Sequence, residues 1–89
     1  MTIWKYVLIP VGFFYLSMPI GAQVVSIGRD GFGQMCCWAI VDPNAPMEDK
    51  ALWFGGTGWP LPRGFKYIGM LNDDEYIWHL GEVEAEAHD

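Results

Sequence analysis

Gln34-Met35-Cys36-Cys37-Trp38-Ala39-Ile40-Val41-Asp42-Pro43 places seven apolar residues in a row and stops them with Asp-Pro. A run this short, rich in β-formers and bounded by turn residues, reads as a strand buried on both faces, with Trp38 in the core. The adjacent cysteines follow from the same reading. Successive strand residues point to opposite faces, so Cys36 and Cys37 cannot form an ordinary disulfide with each other and are expected as buried, reduced thiols, as in a cytosolic protein.

Working outward, Arg29-Asp30-Gly31 before this strand is a hairpin signal joining it to Gln23–Gly28, with Val24 and Ser26 expected on one face and Val25 and Ile27 on the other. Ile3–Ile9 and Phe13–Met18 are two further strands, ended by Pro10 and Pro19. The first 22 residues have the outline of a secretory signal, but Pro10 and Gly12 interrupt the apolar run, and it is too broken for a membrane helix. After Pro43 the chain turns, Met47-Glu48-Asp49 has room for one helical turn, and Lys50–Phe54 is again a strand. Gly55–Gly64, with four glycines and two prolines, reads as the longest loop. Phe65–Leu71 and Glu75–Leu80 form a second hairpin across Asn72-Asp73-Asp74.

Six to seven short strands without an amphipathic helix predict an all-β fold, a small antiparallel barrel or sandwich. The 89 residues make one domain, expected over residues 1–81, followed by an acidic tail over 82–89. Five Trp, four Tyr and five Phe exceed what so small a core needs, which points to an interface or pocket and to a homo-oligomer. The net charge of −6 is unevenly spread: residues 1–71 balance to +1 and residues 72–89 to −7. The body can accept an anion, whereas the acidic end disfavours direct nucleic-acid binding.

No metal-ligand spacing, catalytic triad or carboxylate pair is visible, so neither a cofactor nor catalysis is expected, and His79 reads as a structural residue. Trp78 and His79 face opposite ways in a strand. The Gly/Pro-rich loop offers a different chemistry: backbone N–H groups at Gly56, Thr57 and Gly58, the indole of Trp59 and the guanidinium of Arg63, with Lys5 and Lys66 as further cations. That set suits a nucleotide-like ligand, although a turn-rich connection packed on the core by Trp59 has the same composition.

The chain also resembles a known family. Ile3-Trp4-Lys5-Tyr6, Met18-Pro19 with Gly21-Ala22, Cys37–Pro43, Gly56-Thr57-Gly58 with Pro60, Tyr67-Ile68-Gly69 and Trp78-His79 are similar to a family of short bacteriophage-encoded proteins known only as a domain of unknown function. Phe13-Phe14-Tyr15-Leu16 and the acidic extension depart from its pattern. The resemblance implies a phage origin and action in the host bacterial cytoplasm. Three function classes then remain open: a counter-defence protein that sequesters a nucleotide-derived immune signal without catalysis, an inhibitor docking on a host defence protein, and a minor virion or assembly component.

Overall fold

The computed structural model describes residues 1–84. It is all-β, with β1 (Thr2–Val7), β2 (Gly12–Pro19), β3 (Gln23–Arg29), β4 (Met35–Val41), β5 (Met47–Gly56), β6 (Phe65–Asp73) and β7 (Tyr76–Val83). Two antiparallel sheets, ordered β1-β4-β3 and β2-β5-β7-β6, form a sandwich that does not close into a barrel. Among the described residues no helix is long and apolar enough to cross a membrane.

The core lies between the sheets because one parity of each strand is apolar. Cys37, Ala39 and Val41 of β4 meet Met18, Phe54 and Leu80 of the other sheet, with Leu8, Ala22 and Val24 completing a buried cluster. Met35–Val41 is therefore central in its sheet but not buried on both faces. Cys36 is buried on the outer side, whereas Trp38 and Ile40 beside it are half-buried, because no second layer covers that face. Trp38 packs near Gly28 of the neighbouring strand rather than in the core.

Cys36 is covered by the β3–β4 hairpin. Asp30 Oδ1 accepts the N–H groups of Phe32 and Gln34, each at 2.9 Å, and Oδ2 accepts Lys5 Nζ at 2.9 Å. The Cys36 thiol donates toward Asp30 Oδ2 at 3.6 Å and the Gln34 carbonyl at 3.4 Å. Burial pushes the Cys36 thiol pKa up, with Asp30 adding to the shift, and burial carries Cys37 to about 11. In both, burial favours the thiol over the reactive thiolate.

Several expectations are corrected. A bulge at Val25 realigns β3, so Val24 and Ile27 pair with Ala39 and Cys37 on the core side while Ser26 pairs with Trp38. Met47-Glu48-Asp49 is strand rather than helical turn, since it continues the β5 ladder against Pro19, Met18 and Ser17. Gly55 and Gly56 belong to β5 rather than to the loop, paired with His79 and Trp78. The last hairpin turns at Asp74-Glu75, with Asp74 at φ 52°, a left-handed conformation that Asp tolerates. β7 runs on to Val83, so Glu82 and Val83, expected in the tail, pair with Lys66 and Phe65. The remainder of the expected tail, residues 85–89, lies outside the described residues.

Candidate functional site

The outer face of the four-stranded sheet is built from an alternation of rings and glycines. The register aligns Phe13 with Trp53, Trp53 with Gly81 and Gly81 with Tyr67, and in the next row Gly55 with His79 and His79 with Met70. Paired residues of an antiparallel ladder share a face, so these side chains stand on one surface. The glycines let the rings lie down. A Cβ on Gly81 would sit 2.2 Å from the Phe65 ring, and one on Gly55 would sit 2.5 Å from Trp59 and 2.7 Å from Trp53.

The loop after β5 then folds back over this trough. Gly56-Thr57-Gly58-Trp59 is a tight turn closed by the Trp59 N–H on the Gly56 carbonyl at 3.2 Å, and Gly58 supplies the positive φ of 91° that the turn demands. Trp59 is thereby set edge-on to Trp53, with ring centroids 6.2 Å apart, and to Trp78 at 5.9 Å. A pocket of about 210 Å³, open on one side, results between Trp53, Trp59, Leu61, Phe65, Tyr67 and His79, with Gly56, Thr57 and Gly58 on its rim.

His79 supplies the polar part of this wall. Its Nε2 lies 2.8 Å from Thr57 Oγ1 and its Nδ1 lies 2.8 Å from the Tyr67 hydroxyl. With one tautomer Tyr67 donates to Nδ1, Nε2–H donates to Thr57, and Thr57 donates to the Ile77 carbonyl at 3.4 Å. With the other, Thr57 donates to Nε2 and Nδ1–H donates to Tyr67, which leaves the Tyr67 proton for a ligand. The relay can thus present either a donor or an acceptor to the edge of a bound ring.

Of the residues expected to bind, the structure gathers Gly56, Thr57, Gly58 and Trp59 in this pocket. The others are elsewhere. Lys5 is on the other sheet in its ion pair with Asp30, Lys66 is strand-paired with Glu82, and Arg63 is exposed on the loop without lining the pocket. Of the three backbone N–H groups expected to bind, that of Thr57 is taken by the Ile77 carbonyl at 3.3 Å, and the Trp59 N–H that follows them closes the turn on Gly56.

Trp53, Leu61, Phe65, Tyr67 and His79 were not among the expected set. The spacing Phe13-x-Tyr15, Trp53-x-Gly55, Phe65-x-Tyr67 and His79-x-Gly81 was the available signal, since each pair shares a strand face. Trp59 touches Trp78 and shares a pocket with His79 although the latter two point apart, because it stands across the strand end at Gly55-Gly56. Among the described residues no group of three or more His, Cys, Asp or Glu is placed to hold a metal.

Fold and site together define an antiparallel β-sandwich with an aromatic pocket, lined by no Asp, Glu, Lys or Arg, on one outer face. The chain belongs to the family described as Domain of unknown function (DUF7352), whose model matches residues 1–89. No curated protein and no solved structure matches it.

Proposed function

We propose that the chain is a non-catalytic binding protein that takes the planar ring of a nucleotide-derived ligand into the Trp53–Trp59–Tyr67–His79 pocket. The observation that carries this reading is His79, held through both ring nitrogens between Tyr67 and Thr57 against aromatic walls. Such a wall offers stacking surface and one switchable polar contact, the two things a heterocycle needs for recognition.

The pocket's size sets what enters. Ligand pockets commonly span roughly 300–1,000 Å³, so a pocket of about 210 Å³ holds a ring and leaves sugar and phosphate outside. Arg63, exposed on the same loop, is the side chain available to an anion there. In the setting that the family resemblance implies, this is a phage counter-defence protein acting in the host bacterial cytoplasm, sequestering an immune signal of the cyclic nucleotide or cyclic ADP-ribose type.

A second reading, an inhibitor docked on a host defence enzyme, draws on the acids of the last hairpin, Asp73, Asp74 and Glu75 at its turn and Glu82 and Glu84 at its other end. Calorimetry against nucleosides, cyclic nucleotides and ADP-ribose derivatives decides between them. Binding that is lost in Trp59→Ala and weakened in Arg63→Ala supports sequestration. No heat from any of them at micromolar concentration, and no small molecule released on heat denaturation, replaces it with the inhibitor reading.

A further inference from the structure

The pocket accounts for only part of the aromatic face. Phe13 and Tyr15 of β2 lie outside it, 45% and 54% exposed, in edge-to-face contact with each other at 5.1 Å. They share the surface with Trp59, Leu61, Tyr67 and Met70, which are 42–56% exposed. At 150–250 Å² per aromatic side chain, the four half-exposed rings alone leave roughly 400 Å² of apolar surface. That is about half of the ~800 Å² that one partner contributes to a standard interface, and Leu61 and Met70 add to it.

Charge is distributed to match. On this face the strands present Phe13, Tyr15 and Ser17, then Ala51, Trp53 and Gly55, then Ile77, His79 and Gly81, then Phe65, Tyr67 and Met70, with Asp49 opposite Ser17 at one end as the exception. The ionic residues of these strands, among them Lys50, Lys66 and Glu82, take the other parity. With the net charge of −6 concentrated in residues 72–89, this face lets two copies approach without setting ionic side chains against each other, Asp49 apart.

We infer that the outer face of the β2-β5-β7-β6 sheet is where two copies of this chain meet, Phe13 and Tyr15 of each closing the open side of the other's pocket. The strand order makes this self-consistent. A twofold axis running along the strands between β5 and β7 lays the edge strand β2 of one copy over the opposite edge, β6, of the other, so the same contact is made twice. The inference does not rest on the ring-binding reading: it uses the exposed apolar area and the scarcity of ionic side chains on this face, and it has its own measurement.

Sedimentation equilibrium of the full chain at micromolar concentration should give twice the chain mass. Tyr15→Glu and Met70→Glu, two half-exposed positions on this face and outside the pocket, should each return the mass to that of one chain while the thermal melt stays cooperative. Ile3→Glu, exposed on the outer side of the other sheet, should leave the dimer intact. A monomeric wild-type chain overturns the inference, as does a dimer that survives both face variants or is lost in Ile3→Glu. A dimer that binds no nucleotide-derived ligand would instead count against the ring-binding reading, and a monomer that binds one would count against this inference alone.

Discussion

The Tyr67 hydroxyl lies 2.8 Å from His79 Nδ1, across neighbouring strands and beside the bulge that β6 makes between Tyr67 and Gly69. That bulge shifts the register by one, so Tyr67 pairs with Gly81 and Met70 with His79, and the Tyr67 ring can reach diagonally to the imidazole instead of standing clear of it.

Tyr67→Phe tests what this contact does. Tyr67 is 55% exposed, so loss of its hydroxyl should cost the fold no more than about 1 kcal/mol. Ring-ligand affinity should fall by about tenfold, the equivalent of one hydrogen bond of roughly 1.4 kcal/mol. Thermal melts beside calorimetry read both, and unchanged affinity would remove the His79 relay from the site.

Glycines on the two outer faces should behave oppositely. An alanine methyl at Gly81 would sit 2.2 Å from Phe65 and 2.6 Å from the Lys66 carbonyl, a backbone atom that cannot step aside. Gly81→Ala should therefore lower stability by about 2–4 kcal/mol. Gly28→Ala meets only Trp38, at an ordinary 3.6 Å, and should be neutral or stabilising by about 0.5 kcal/mol. Denaturant midpoints of the pair compare them directly; equal effects would mean the Phe65 ring does not lie over Gly81.

These positions show what was legible in the sequence. The seven strands could be read because each is a short apolar run ended by Pro, Gly or Asp, and the Asp30-Gly31 hairpin was marked by its own turn residues. Sheet membership of Gly55 and Gly56 was not legible, since Gly-Gly reads locally as loop and only the rings of Trp53 and Trp59, brought in by the fold, explain why no side chain is tolerated at Gly55. The outward placement of Trp38 was likewise hidden. An apolar run gives the same signal whether its second face meets a layer of the same chain or none. Four of the nine residues that line the pocket lie in the one contiguous segment the sequence singled out, Gly56–Trp59. His79, Tyr67 and Trp53 arrive from three strands, and sequence spacing does not report which strands become neighbours.

Asp30 predicts a response to acid. The Lys5 ammonium, helped by the N–H groups of Gln34 and Phe32, lowers its pKa from 3.8 to about 2. A carboxylate lowered by folding stabilises the native state above its unfolded value, and that contribution disappears as the pH falls through the folded one. Between pH 3.8 and about 2 the wild-type chain should lose stability that Asp30→Asn never had, so their denaturant midpoints should converge over that window. A gap that stays constant down to about pH 2 would show that Asp30 caps the hairpin without depending on its charge.

Tyr6 carries the opposite kind of error in the fold. It points to the core side opposite Cys37, and its hydroxyl is buried without a hydrogen-bond partner among the described residues; burial also pushes its pKa up. A buried hydroxyl left unpaired costs roughly 1–3 kcal/mol, and phenylalanine keeps the ring and its packing while removing that oxygen. Tyr6→Phe should therefore stabilise the chain by about 1 kcal/mol, which for a domain of this size raises Tm by about 4–8 °C. Tyr76→Phe, at a site 59% exposed, is the control and should leave Tm unchanged. A lower Tm for Tyr6→Phe would mean that the hydroxyl is satisfied in solution, by a buried water held between the two sheets.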